Sequence, residues 1–312
     1  MDRIATNSAY NSVLNNLMAA EIAQSTAGNQ LSSNEKASDL KGYGTGAEVL
    51  TAMQATNSQV TGYLNNSQVV AAKLTMQDTG LNQVATSATD SMSTITNAIA
   101  TGNGATLMQE LQTSFGDAVQ GLNTQFNGEY VFAGGQVNTQ PVTATSLSSL
   151  TAAPSIASLF HNDNRQISTQ VDQNTSISTG FLADQVGTPL FTALQSIEAY
   201  NQGPNGPFGA TLTPAQQTFL TQTLATLKTV STNLNNVVGQ NGLAQAEVTN
   251  TQAALTQRQT MVQGLIGDAT QPDLAKATTD LQQAQLSIQA TGQVFQALKA
   301  SSLLNTLSTG LA

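Results

Sequence analysis

The chain has no cysteine, no tryptophan and a single histidine, and charged residues make up 9% of its 312 positions. Without cysteine there is neither a disulfide nor thiolate chemistry. One histidine, His161, excludes an HExxH motif and any two-histidine metal site, and its setting Phe160-His161-Asn162-Asp163-Asn164 reads as a polar loop. There is no G-x-S-x-G elbow and no G-x-x-x-x-G-K-[ST] phosphate loop. Gly42, Gly44 and Gly46 follow no strand, so they read as a hinge and not as a dinucleotide site. The carboxylates Asp78, Asp90 and Glu110 fall at polar helix positions. Catalytic, cofactor and metal residues are accordingly predicted to be none, and the chain is predicted not to be an enzyme.

Nine Lys plus Arg against a net charge of −9 leave no basic stripe to neutralise phosphates, so nucleic-acid binding is not expected. No run approaches the roughly 18 apolar residues of a membrane-spanning helix, so no membrane insertion is expected. Met1-Asp2-Arg3-Ile4 lacks the charged-then-apolar layout of a cleavable signal peptide. With so little charge, the surface must be covered by Ser, Thr, Asn and Gln. Such a surface lets identical copies approach without strong self-repulsion.

What the chain does have is heptad periodicity towards both ends. One series is Val49, Thr56, Tyr63, Val70, Gln77, Val84 and Ser91, and the other is Met53, Val60, Ser67, Leu74, Leu81, Ala88 and Ile95. The period is that of a helix seam and not of a strand. A second seam runs Leu274, Ala277, Leu281, Ala284, Ile288, Thr291, Phe295 and Leu298. A first helix over 5–35 carries Tyr10, Leu14, Leu17, Glu21, Gln24, Gly28 and Leu31 at 4-3 spacing. Its polar and glycine positions predict a helix that needs a partner to order it. Further helices are predicted over 46–100, 105–126, 214–265 and 273–305, with Thr213 and Pro214 as the start of the fourth of these five helices. Gly239-Gln240-Asn241-Gly242 is expected to interrupt it.

The middle has a different character. Tyr130-Val131-Phe132-Ala133, between Asn127-Gly128 and Gly134-Gly135, reads as a short strand bounded by turns. Residues 166–179 alternate, turn at Asp172-Gln173-Asn174 and alternate back, which predicts a β-hairpin. Phe181, Leu190, Phe191, Leu194 and Ile197 predict a short helix closing a small core. The expected fold is mainly α: a long antiparallel helical coiled-coil bundle formed by both chain ends, with a small β-rich insert domain. The expected division is a terminal assembly layer (1–44 and 268–312), a helical rod domain (45–135 and 208–267) and an outward-facing β-rich insert (136–207).

Four passages resemble the bacterial flagellin family, and within it the hook–filament junction proteins (hook-associated protein type 3). They are Arg3-Ile4-Ala5-Thr6-Asn7, Leu31-Ser32-Ser33, the run from Phe126 to Gly135, and Asp273 through Asn305. In the third, Phe126, Asn127 and Gly128 are common to flagellins. The continuation through Tyr130, Phe132 and Gly134 to Thr139-Gln140-Pro141 is similar to the junction proteins. Where the family places a basic residue and a paired-Asp segment after the first helix, this chain has Lys36 and Asp39 as nearest equivalents.

The resemblance implies a structural subunit of the flagellum that joins hook to filament, with flagellin itself as the alternative and a glycan-binding surface module as a more distant rival. It implies self-assembly into a ring or helix. It implies contacts with a neighbouring hook-associated protein and with flagellin, and an export chaperone. It also implies an extracellular location reached without a cleaved signal peptide. Leu14, Leu17, Leu31, Leu281, Ile288 and Phe295 are the assembly-interface residues that it suggests. Terminal helices that order only on assembly are a further implication.

Overall fold

The computed structural model describes the backbone of residues 2–308 and the side chains of residues 8–300. Seven α-helices appear among the described residues: α1 (Asp2–Ser33), α2 (Ala47–Thr101), α3 (Leu107–Leu122), α4 (Leu147–Ala152), α5 (Ala183–Gln202), α6 (Pro214–Thr270) and α7 (Leu274–Ser308). Two antiparallel pairs of short strands complete the set, β1 (Gln125–Phe126) with β2 (Glu129–Tyr130) and β3 (Ser168–Gln170) with β4 (Ser176–Ser178). The fold is mainly α, as the periodicity predicts.

The chain divides into two compact units, one of residues 59–258 and one formed by the stretches up to residue 58 and from residue 259 on. In the larger unit α2 and α6 run antiparallel. Asn241 of α6 meets Leu74 of α2, and Leu212 just before α6 donates to Gly102 just after α2. From Val60 on the predicted heptads of α2 become its core, with Leu74, Leu81, Val84, Ala88 and Ile95 buried, whereas at its start the predicted Val49 and Thr56 are exposed and Leu50 is buried instead. Leu74 packs in a separate cluster with Val70, Val171, Ile177 and Val248. Leu81, Val84, Ala88 and Ile95 pack with Leu107, Leu111, Phe115 and Leu122 of α3, Leu190, Phe191 and Leu194 of α5, and Leu220, Leu227 and Leu234 of α6. Phe191 stacks between Phe115 and Phe160, with ring centroids 5.0 and 5.4 Å away. Helices α2 and α3 cross at Gly80 and Gly121, where an added Cβ on either glycine would come within 2.7 Å of the other's carbonyl oxygen.

Three further expectations are corrected by the structure. Residues 239–242 do not interrupt α6, which is continuous from Pro214 to Thr270. There Asn241 is fully buried, and its side-chain amide donates to Leu74 O (3.1 Å) and Asp78 Oδ1 (3.2 Å) across the helix pair. A polar residue that pattern-reading takes as a break is a cross-helix tie. Second, the strand around Tyr130 is only Glu129–Tyr130. Val131, Phe132 and Ala133 are all buried in succession, and a strand buries alternate residues. Third, α1 turns a different face inward than its sequence suggests, as described below. The Thr213 start is as expected: Thr213 Oγ1 accepts from Gln216 N (3.2 Å) and Gln216 Oε1 accepts from Thr213 N (3.0 Å), a capping box.

Ser and Thr are frequent inside these helices, against their usual preference. Their hydroxyls bond back to the carbonyl four residues earlier, as Thr51, Thr56, Thr75, Thr79, Ser91 and Thr96 do in α2. The side chains thereby satisfy themselves without a neighbour's help, and a helix poor in charge keeps a neutral polar face.

Candidate functional site

The smaller unit holds the paired terminal helices. α1 and α7 run antiparallel, with Tyr10 edge-on to Phe295 (centroids 5.7 Å, 83°) near one end. Near the other, Gln30 shares a groove with Ala277 and Asp280. Asp273 caps α7 by accepting from Lys276 N (3.0 Å), and Lys276 Nζ reaches Asp280 at 2.6 Å, which raises its pKa. After α1, Lys36 N donates to Thr270 O (2.6 Å), which ties the connecting loop to the end of α6.

The α7 seam follows its predicted heptad from Ala277 on: Ala277 and Ala284 are buried and Leu281, Ile288, Thr291 and Leu298 half-buried, while Leu274, predicted to open it, is 48% exposed. On α1 the seam passes through Tyr10, Val13, Leu17, Ala20, Gln24, Ala27 and Leu31. The 4-3 spacing predicts Leu14, Glu21 and Gly28 where the structure has Val13, Ala20 and Ala27. The larger residue at 14 draws the pattern out of phase, since the real seam is built on alanines. Leu17, Leu31, Leu281 and Ile288 therefore sit half-buried along the pair, Phe295 packs on Tyr10 while 41% exposed, and Leu14 lies outside at 49% exposed.

Leu14 is not alone there. With Met18 and Ile22 it forms an exposed apolar row one helical turn apart, and Ile22 is 67% exposed. On α7, Leu286 and Val294 are likewise exposed. The terminal pair thus has two kinds of apolar surface, an alanine-rich seam within the pair and an uncovered stripe outside it. A seam of alanines buries much less apolar area than the Leu, Val and Ile seam of the larger unit, so it stabilises the pair weakly.

The second constellation is the stretch from Phe126 to Gly135. Asn127 (φ 52°) and Gly128 (φ 83°) form a two-residue loop with both φ positive, the arrangement of a type I′ hairpin turn. Tyr130 N donates to Val137 O (2.8 Å) and Val131 N to Thr124 O (3.0 Å), while Phe132 is fully buried. Gly134 (φ 66°) lies so close to Asp163 that a side chain there would clash. The Asp163 carboxylate accepts from Gly135 N (2.7 Å) and Arg165 N (2.9 Å), and these two bonds hold its pKa below the usual carboxylate range. From α2, the fully buried Gln77 donates to Val131 O and Thr179 O. Lys73, one turn earlier, has its pKa lowered by burial, a shift opposed by Glu129. Sequence reasoning missed Gln77, Asn241 and Asp163, whose partners lie far along the chain. A polar residue at a heptad core position, as Gln77 is, was the one available signal.

His161, the residue that invited a catalytic reading, is exposed and paired with Thr143 Oγ1 at 3.1 Å. Among the described residues no group of three or more His, Asp or Glu could hold a metal, and no helix is long and apolar enough to cross a membrane. An open groove of about 570 Å³ between the β3–β4 hairpin and α6 is lined by Gln166, Ser178, Gln185, Leu243 and Glu247, with Phe181 as its aromatic residue.

The described residues thus offer paired terminal helices with an uncovered apolar stripe, a braced hairpin and open grooves. Residues 4–137 match the family model of the bacterial flagellin N-terminal helical region, a stretch that covers α2, α3, the β1–β2 hairpin and nearly all of α1. Over that stretch the chain is similar to the bacterial flagellins. Its fold is similar to that of a flagellar hook-associated protein from Vibrio parahaemolyticus, at 16% identity and a TM-score of 0.59 over 72% of this chain and 97% of that one. It is also similar to Bacillus cereus FlgL, at 14% identity and a TM-score of 0.52 over 69% of this chain and 97% of that one. Comparison with curated proteins gave no match.

Proposed function

We propose that this chain is the junction subunit between hook and filament, and that it assembles with copies of itself and with neighbouring hook-associated protein and flagellin through its terminal helices. It acts by assembly and not by catalysis, outside the cell, after export with the help of a chaperone. The observation that carries the reading is the split of apolar residues on the α1–α7 pair. The seam residues hold the pair together, and Leu14, Met18 and Ile22 remain for a neighbour to cover. Leu17, Leu31, Leu281, Ile288 and Phe295 then serve the assembly by setting the pairing that presents the outer stripe. The terminal layer, helical rod and outward insert are the three working parts of this proposal.

The braced hairpin favours the junction over flagellin. The part of the motif that resembles the junction proteins, Tyr130 through Gly134, is the part locked by Val137, Gln77 and Asp163. Immunogold labelling of intact cells separates the two. A single band of label where hook meets filament is expected; label along the whole filament would make the chain a flagellin and overturn the junction reading.

A further inference from the structure

The chain contains four Asn–Gly pairs, at 103–104, 127–128, 205–206 and 241–242. Asn–Gly is the dipeptide most open to cyclisation, because glycine puts no Cβ in the way of its own backbone nitrogen. The Gly nitrogen, having lost its proton, attacks the Asn Cγ and closes a cyclic imide as ammonia leaves. Water then opens the ring at either carbonyl, giving aspartate or isoaspartate. The step needs a solvent-exposed Asn, a following N–H not committed to an acceptor, and a backbone able to swing.

We propose that the fold protects three of these pairs and leaves Asn127–Gly128 as the chain's site of spontaneous deamidation. Asn241–Gly242 lies inside α6 with Asn241 fully buried, its side-chain amide held by Leu74 O and Asp78 Oδ1. At the 103–104 pair, the buried Gly104 donates to Gly209 O (2.9 Å), and Asn103 Oδ1 accepts from Ala105 N (2.9 Å). At the 205–206 pair, Gly206 N donates to Gly203 O (3.1 Å) and Asn205 O accepts from Gln216 Nε2 (2.9 Å), so that peptide is held from both sides.

Asn127 and Gly128 are both exposed, and among the described residues Gly128 N–H meets no acceptor. The I′ turn must open for the nitrogen to reach Cγ. The braces that lock the segment act at Tyr130, Val131 and Gly135 and not on the turn, and the two-residue strand pairs flanking it open easily. Isoaspartate adds a methylene to the backbone of a two-residue loop, whose geometry cannot absorb it. Either product adds a carboxylate beside Glu129.

The test uses the full chain, incubated folded and in urea at mildly alkaline pH, then mapped peptide by peptide with isoaspartyl methyltransferase labelling. Each site's folded rate is divided by its own rate in urea. Asn127 is expected to keep most of its unfolded rate and to lead the other three by roughly tenfold or more, because local opening is easier than opening the core. Equal protection at all four sites, or a lead by Asn103, Asn205 or Asn241, would overturn the proposal. So would an Asn127 that labels in urea and stays silent in the folded chain.

Discussion

Gln77 is the residue through which the longest helix of the N-terminal half controls two irregular segments. Its amide supplies hydrogens to Val131 O and Thr179 O. Gln77→Ala should cost about 1–3 kcal/mol, the price of stranding buried carbonyls, measured as a lower urea midpoint. Gln77→Leu should not restore the loss, since it fills the volume and leaves the carbonyls unpaired. Asp163 acts in the same region but titrates. Because its folded pKa is depressed, its contribution is complete above the ordinary Asp value of about 3.9 and is lost as pH falls through the lower folded value. Asp163→Ala should therefore lower Tm at pH 7, with the gap from the parent closing below about pH 4. A gap of constant size across that range would contradict this role.

At the scale of elements, the α2–α3 crossing rests on two facing glycines. Gly80→Ala sets two effects against each other. Alanine gains about 1 kcal/mol in helix propensity, while overpacking costs about 1–3 kcal/mol. The new methyl would meet the Gly121 carbonyl and the Phe132 ring, and a backbone oxygen cannot rotate away. The cost wins, and a net loss of up to about 2 kcal/mol is expected in chemical denaturation. That crossing was invisible in the sequence, where Gly80 is one small residue among many.

Most of the α2 and α7 seams was legible because their apolar residues recur at heptad spacing. The α1 seam was out of phase because Ala20 and Ala27 look like filler beside Leu14. The β3–β4 hairpin could be read from its alternation, with Thr169 opposite Ile177. Val131, Phe132 and Ala133 could not, because their burial comes from α2, α3 and α5 and not from a sheet. For the candidate site, the residue types of the hairpin motif were readable, but its braces came from Gln77 and Asp163, distant in the chain.

For the whole molecule, the contrast between the two units sets the behaviour. The larger unit has its own core of Leu, Val, Ile and Phe; the terminal pair depends on a thin alanine seam. Removing residues 274–312 should leave the larger unit folded by circular dichroism and expose α1, which loses its partner, to fast amide exchange. Such a chain should remain soluble and fail to enter the flagellum.

The central claim is that the uncovered stripe on α1 is where a neighbouring subunit docks. Substituting Leu14→Asp, Met18→Asp and Ile22→Asp together leaves the seam untouched, and each exposed change should shift stability by no more than about 0.5 kcal/mol. The decisive measurement is incorporation of this variant into flagella of living cells, counted by immunogold labelling, with circular dichroism of the purified chain as the check on folding. A folded chain that does not incorporate is the predicted result; incorporation at the parent level would contradict the account.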